Sequence, residues 1–320
     1  MKKKQKASRT IITAVIMFIF LIAYVYAHEN DLITDSSNTE ETYTQEQEVP
    51  GDLAFPSDEE KSGNVYLEFL DVGQADSILI SICGKYVLVD CGNIADGPLV
   101  TEHLKNLGID KLEYLIITHP HEDHMGGAVD VINEVEIGHI IMPDRMKTTK
   151  IFEKMLDAIT ERNVDVIFPN VKDVFEVNGG TFTVLSCDND AKDDNGSSVV
   201  TLFTYDDFDV LLTGDATTAN EKEILTWYEF NDIEVLKLAH HGSVTGNSKK
   251  YLEAVSPENA IISVGRNNTY NLPKDEIIER VEKLNIPIYR TDESGTIIVT
   301  YDNDDYKIEI DGTSYDGDEK

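Results

Sequence analysis

The sequence predicts an α+β protein in which two sheets pack face to face with helices outside. Three observations predict it. Apolar runs of strand length are interspersed with helix-length amphipathic runs over about 250 residues. Residues of metal-ligating type recur where apolar runs end, at Asp90, His119, Asp215 and His240. No repeat of fixed short period is present, so a solenoid or propeller is not indicated.

The chain opens with Lys2, Lys3, Lys4, Lys6 and Arg9, and then has an uncharged apolar run over residues 11–27. A basic stretch before an apolar one marks residues 1–27 as a signal peptide or an N-terminal membrane anchor. The run is 17 residues long, more than a usual signal core and barely enough to cross a bilayer, so both readings stand. Lysines ahead of the run direct the rest of the chain out of the cytoplasm. The protein is therefore expected to be exported: extracellular, secreted or tethered by residues 11–27. Residues 28–62, His28 included, are polar and acidic without apolar periodicity, and read as a disordered acidic linker.

An ordered domain is expected over 63–312, with an acidic tail at 313–320. Strands are expected over 65–72, 77–82 and 86–90, the last two joined through Gly84. Leu99 to Leu107 has helical spacing and Gly108 stops it. Tyr114 to Ile117 has the β-rich composition of a buried strand, and a helix opens at Ala128 after Gly126-Gly127. Next come a strand at 138–143 and an amphipathic helix at 151–162. Strands are expected over 164–168, 173–177, 181–185, 198–205 and 208–213. The remainder reads as helix 219–228, strand 235–239, helix 249–254, strand 260–264, helix 274–284, and strands 288–290, 296–301 and 306–310.

Chemistry concentrates in Thr118-His119-Pro120-His121-Glu122-Asp123-His124-Met125-Gly126-Gly127. Four potential ligands fall within six residues, on a loop between a buried strand and a helix. Imidazole and carboxylate suit Zn²⁺ or a similar divalent ion. The tight spacing suggests two ions, with His119 and His121 toward one and Asp123 and His124 toward the other. Asp215 ends an apolar strand behind Gly214 and can bridge two cations about 3.5–4 Å apart. His240-His241-Gly242-Ser243 comes after another buried strand. That placement favours His240 as the ligand, leaving His241 to support it or contact substrate. Asp90, at a third strand end, is the candidate to orient a ligating imidazole. His103 reads as a surface residue and His139 as the start of a strand.

Composition narrows the partners. Apolar content of 41% supports a full core, and the net charge is −33, with 60 acidic and 27 basic residues. Such acidity opposes nucleic-acid phosphates unless a local basic patch or bound metal offsets it. Lys237, Lys249, Lys250 and Arg266 are the basic residues expected near the site. Three cysteines without C-x-x-C spacing argue against a disulfide framework or a zinc knuckle. Cys83 and Cys91 could face each other across a hairpin, although free thiols are the plainer reading.

These motifs together resemble the metallo-β-lactamase superfamily, and most nearly its branch containing the hydrolase domain of the competence protein ComEC. Phe69-Leu70-Asp71-Val72-Gly73-Gln74-Ala75-Asp76-Ser77 resembles that branch's F-L-D-V-G-Q-G-D-S, with Ala75 for a glycine. Leu88-Val89-Asp90-Cys91-Gly92 resembles I-D-x-G, and 118–127 is the metal motif. Asn195-Gly196-Ser197-Ser198 resembles N-N-S-S. Leu211 to Ala216 and Leu236 to Ser243 resemble the two remaining signatures. The resemblance implies a four-layer αββα sandwich with a metal pair at one sheet edge. It implies supporting or substrate-contacting roles for Asp76, Asp90, Asn195, Ser197, His241 and Ser243. No histidine stands where most members place a third ligand to the first metal, so that ion is expected on His119, His121 and Asp215, plus water. Leu272, in Tyr270-Asn271-Leu272-Pro273, stands where the branch often has histidine.

The implied activity is an exported metal-dependent hydrolase using a metal-bridging hydroxide. Asp123 and Asp215 are its catalytic carboxylates. The metals are bound by His119, His121, Asp123, His124, Asp215 and His240, with Zn²⁺ favoured over Mn²⁺. A phosphodiester of nucleic acid or of a cell-wall polymer is the favoured substrate, lactams and esters being alternatives. Ser243 and Thr245 could hold a phosphate oxygen. The membrane is engaged only through the N-terminal segment, and no protein partner is inferable. The competing reading is a non-catalytic, metal-stabilised binding module for a cell-surface polymer. The intact ligand set stands against it.

Overall fold

The computed structural model describes residues 65–302 and 305–312. The expected export segment, acidic linker and acidic tail lie outside the described residues. Among the described residues, no helix is long and apolar enough to cross a membrane.

The first half runs β1 (Val65–Phe69), β2 (Ile78–Ile82), β3 (Lys85–Val89), α1 (Gly97–Asn106) and β4 (Lys111–Ile116). It continues with α2 (Glu122–Met125), α3 (Ala128–Glu134), β5 (Glu136–Ile141), α4 (Lys150–Arg162) and β6 (Asp165–Ile167). The second half begins β7 (Val174–Val177), β8 (Gly180–Ser186), β9 (Val200–Tyr205), β10 (Phe208–Leu212) and α5 (Thr218–Ile224). Then come β11 (Val235–Lys237), α6 (Lys249–Val255), β12 (Asn259–Ile262), α7 (Asp275–Glu282), β13 (Ile288–Arg290) and α8 (Thr291–Ser294). The hairpin of β14 (Ile297–Asp302) and β15 (Asp305–Ile310) returns to the first sheet. One sheet is ordered β15-β14-β1-β2-β3-β4-β5-β6, and the other β13-β12-β11-β10-β9-β8-β7.

Strand alternation explains the layers. Val65, Leu67 and Phe69 of β1, with Val87 and Val89 of β3, pack between the sheets against Phe182, Phe203, Val210 and Leu212. Their neighbours Leu79 and Leu88 face outward onto Val100 and Leu104 of α1, Val131 of α3 and Phe152 and Met155 of α4. On the far side, Leu211, Leu236 and Ala260 meet Ile224, Leu252, Ile277 and Val281. Three apolar interfaces make four layers, αββα. Because the strands are covered on both faces, their sequences run apolar without strict alternation.

Most boundaries agree with the sequence reading within a few residues. The helix after Asp215 ends at Ile224, short of Tyr228. Beyond it Trp227, Tyr228 and Phe230 pack edge to face in irregular chain, with centroids 5.6 and 5.1 Å apart. The four-residue helices α2 and α8 carry no readable period. Cys83 lies in the β2–β3 turn and Cys91 beyond the other end of β3, so no disulfide joins them. His103 is not a surface residue: it pairs with the buried carboxylate of Glu68 from β1. His139 packs on Tyr114, remote from the ligand cluster.

The topology positions the site. β3 runs parallel to β4, and β10 parallel to β11. Asp90, the 118–124 loop, Asp215 and His240-His241 all lie just past the C-terminal ends of these strands, where open α/β sheets gather ligands.

Candidate metal centre

Asp90 comes directly after β3 in a left-handed conformation, φ 61°. Its Oδ1 accepts the Thr118 N–H at 2.8 Å, and its Oδ2 accepts the Thr118 hydroxyl at 2.7 Å. The 118–124 loop is thus anchored to the neighbouring strand. His121 is the N-cap of α2, which turns Asp123 and His124 back toward the sheets. Gly214, with φ 49°, brings Asp215 beside the loop. A Cβ there would lie 2.9 Å from Cβ of Thr118.

Two groups of side chains that share Asp215 converge, and a third comprises Asp76, Asp90 and His124. His119, His121 and Asp215 offer atoms within 4.8 Å of one another, as do Asp123, His124, Asp215 and His241. Asp215 belongs to both. Its Oδ2 faces Nε2 of His119 at 3.7 Å and Nε2 of His240 at 3.5 Å. Its Oδ1 faces Nε2 of His124 at 3.3 Å and Nε2 of His241 at 3.8 Å. Each oxygen serves one group, the arrangement of a bridging carboxylate.

The residues fit divalent cations. Nε2 of His124, Nε2 of His241 and Oδ1 of Asp215 are buried without a hydrogen-bond partner. Orphaned polar atoms of this kind are costly unless something satisfies them. These three are the atoms that converge on one point. The opposite ring nitrogens are engaged, as ligating imidazoles require. Nδ1 of His124 meets Asp90 at 2.7 Å, and Nδ1 of His241 donates to the Ser263 carbonyl at 2.8 Å. Nδ1 of His119 lies 3.2 Å from the Thr118 hydroxyl, and Nε2 of His121 lies 3.3 Å from Asp194.

Electrostatics agree. Burial alone would lower the His241 pKa, but Asp76 and Asp215 outweigh it and push the imidazole up to about 10. His124 is likewise raised, burial being overcome by Asp215, Asp90 and Asp123. Asp123 falls to about 2 against its own burial, held down by His124 and His241. His119, by contrast, is pushed down by burial and by His124, toward the neutral form that ligates. The carboxylates around His124 and His241 thus favour positive charge at this point of the site.

The structure redistributes several expected roles. The sequence reading set His240 with Asp123, His124 and Asp215, whereas the structure sets His241 there. His240 (φ 52°, ψ 50°) and His241 (φ 51°, ψ 31°) are both left-handed. That turn swings their rings to opposite sides of Asp215. His240 instead shares Asp215 Oδ2 with His119, on the side where the sequence offered no third histidine. Its Nδ1 meets Thr245 Oγ1 at 2.7 Å and Asn195 Nδ2 at 3.2 Å. Asn195 therefore supports His240, and Thr245 is engaged with it. Ser243 bonds Thr245. Ser197 does not reach the cluster: its hydroxyl donates to the Asp194 carbonyl at 2.6 Å. Lys237 is not a substrate-side cation. It is fully buried and pairs with Asp76 at 2.8 Å. Lys249 pairs with Glu253 along its helix.

Sequence reasoning missed Ser198, whose hydroxyl accepts the Asp215 N–H at 3.1 Å, and Asp194 behind His121. Ser198 lies inside the Asn/Ser motif at 195–198, which was the available signal. Asp194 lies in an acidic run with nothing to single it out.

Comparison with known proteins agrees with the fold. The family model for the metallo-beta-lactamase superfamily matches residues 70–266, and the chain belongs to that superfamily. Within it the chain is similar to competence proteins. It is 28% identical over 256 residues to ComE operon protein 3 of Bacillus subtilis, covering 74% of this chain and 33% of that protein. It is 31% identical over 249 residues to Recombination protein 2 of Haemophilus influenzae, covering 76% of this chain and 30% of that protein. The chain thus spans about a third of the length of these curated relatives. Among solved structures, the metallo-beta-lactamase fold protein YhfI of Bacillus subtilis superposes with a TM-score of 0.52 at 11% identity. The match covers 73% of this chain and 99% of that one, a likeness of fold.

Proposed function

We propose that this chain is a metal-dependent phosphodiesterase acting outside the cytoplasm on nucleic acid or a cell-wall phosphodiester. The observation that carries the metal-dependent reading is Asp215, whose two oxygens each face a separate set of imidazoles while three convergent buried atoms make no hydrogen bond. His119, His121, Asp215 and His240 would hold one ion, and Asp123, His124, Asp215 and His241 the other. Such ions supply a water acidic enough to lose its proton near neutral pH, and positive charge for a developing oxyanion.

The chain's own residues do the rest. Asp90, Ser263 and Asp194 fix ring orientation at His124, His241 and His121. Thr245 and Asn195 fix His240. Asp123 is partly exposed and ionised, so it can orient a water at the opening. The names of the relatives, competence and recombination proteins, support a nucleic-acid phosphodiester. The basic N-terminus ahead of an apolar run supports export, and a wall polymer would be met there.

Hydrolysis of bis-p-nitrophenyl phosphate with added Zn²⁺ or Mn²⁺ tests the reading. Turnover that falls at least about 100-fold in Asp123→Ala supports it. Absence of turnover with either metal, in protein that has bound the metal, would contradict it.

A further inference from the structure

The side chains of the centre are unequally covered. His119, His124, Asp215 and His241 are buried, whereas the side chains of His121, Asp123 and His240 are 40%, 30% and 25% exposed. Substrate therefore meets the centre at the edge these three border. Against His121 stands Asp194, and Asp194 carries two cations. Its Oδ1 accepts from Arg145 Nε at 2.6 Å, and its Oδ2 meets both Lys147 Nζ and His121 Nε2. Arg145 is further braced by the Ala191 carbonyl at 2.9 Å. Arg145 and Lys147 outnumber the one carboxylate they share, Asp194, although Asp144, Asp188, Asp190 and Asp193 lie in the same two loops. In that loop Asp188 accepts the Asp190 N–H and Asp193 accepts the Gly196 N–H. Among the described residues Arg145 Nη2 makes no hydrogen bond, and Lys147 makes only the one to Asp194.

A lone phosphodiester brings one negative charge, which the metal centre itself would meet. Cations one side chain beyond a ligand are placed for a different anion of the same molecule. Arginine offers a planar fork that suits phosphate oxygens, and lysine adds a point charge. We propose that Arg145 and Lys147, braced by Asp194, hold a second phosphate of the substrate, adjacent to the phosphodiester that is cut. The substrate is then a polymer with a phosphate at each unit, or a fragment of one. This inference rests on the phosphodiesterase reading above.

The test compares substrates that differ by one phosphate, using the metal-loaded full chain. One arm is the thymidine dinucleotide TpT with and without an added phosphate at either end. The other is glycerophosphoglycerol with and without one further glycerol phosphate. Bis-p-nitrophenyl phosphate is the reference. The added phosphate is expected to raise kcat/KM about tenfold, through KM, in the arm matching the physiological polymer. Lys147→Gln with Arg145→Gln is expected to bring that preference close to one, and Arg145→Lys, which keeps the charge, to retain part of it. Lys249→Gln is expected to leave the preference intact. Metal content in each variant shows that the centre is built. No preference in either arm, or one that survives the double variant, overturns the proposal. If bis-p-nitrophenyl phosphate is still hydrolysed, the phosphodiesterase reading survives that result. If no diester is cleaved, that reading falls first and this one with it.

Discussion

Nδ1 of His124 lies 2.7 Å from Oδ2 of Asp90, a residue held in the left-handed region at φ 61°. The same carboxylate accepts two bonds from Thr118, so it fixes both the ligand and the loop that carries it. Asn tolerates a left-handed backbone, so Asp90→Asn keeps the chain path. It places an amide N–H against donors, however. We expect metal affinity to fall about 10- to 100-fold, measured by competition with a chelator. Unchanged affinity would show that Asp90 does not support the centre.

The left-handed turn at 240–241 separates the two histidines. His241→Ala is expected to remove one ion per chain by elemental analysis. His240→Ala is expected to leave the Asp123, His124, Asp215 and His241 group able to bind its ion. If the two variants exchange these outcomes, the side assignment is reversed.

The pair Asp76–Lys237 is buried on both sides, at 2.8 Å. Lys237→Met leaves Asp76 with His241 and His124 as its remaining charged neighbours, at 3.4 and 3.8 Å, so it should cost about 1–3 kcal/mol in denaturant unfolding of the metal-free chain. Adding Asp76→Asn should restore part of that loss. A single variant as stable as the wild type would mean the pair contributes nothing net.

Glu234 precedes β11, and its carboxylate accepts the Asp209 N–H at 2.6 Å. Burial, with the nearby Asp232 and Asp209 carboxylates, raises its pKa from the ordinary 4.5 to about 7. Between those values the folded chain holds a proton that the unfolded chain releases. This group's contribution to stability is therefore highest below pH 4.5 and declines as pH rises to about 7. The loss is up to about 3 kcal/mol. Glu234→Gln should flatten that slope between pH 5 and 8 and stabilise the chain most at pH 8. Parallel pH profiles for the two proteins would refute the assignment.

Much of the fold was legible because it is written in local signals. Gly108 stops α1, and the apolar run before His119 is a strand covered on both faces. The ligand types of the 118–124 loop were legible for the same reason, since chemistry and spacing both sit within six residues. The illegible part depends on side-chain direction and on distant chain. Nothing in His240-His241 reveals a double left-handed turn, so the sequence could not say which ring faces which oxygen of Asp215. Lys237 comes after apolar residues and reads as a free cation until β1 and the loop after it bring Asp76 beneath it. Asp194, Arg145 and Lys147 meet only because the loops after β5 and β8 converge at the outer edge of the centre.

The most direct test of the central claim is the bound-metal stoichiometry of the purified chain, measured by elemental analysis beside Asp215→Ala. Because Asp215 faces both groups, the wild type is expected to hold about two divalent ions per chain. Asp215→Ala is expected to hold fewer than one, with phosphodiester hydrolysis lost in step. A folded wild-type chain that binds no metal after Zn²⁺ or Mn²⁺ addition would contradict the account, as would Asp215→Ala that retains both ions.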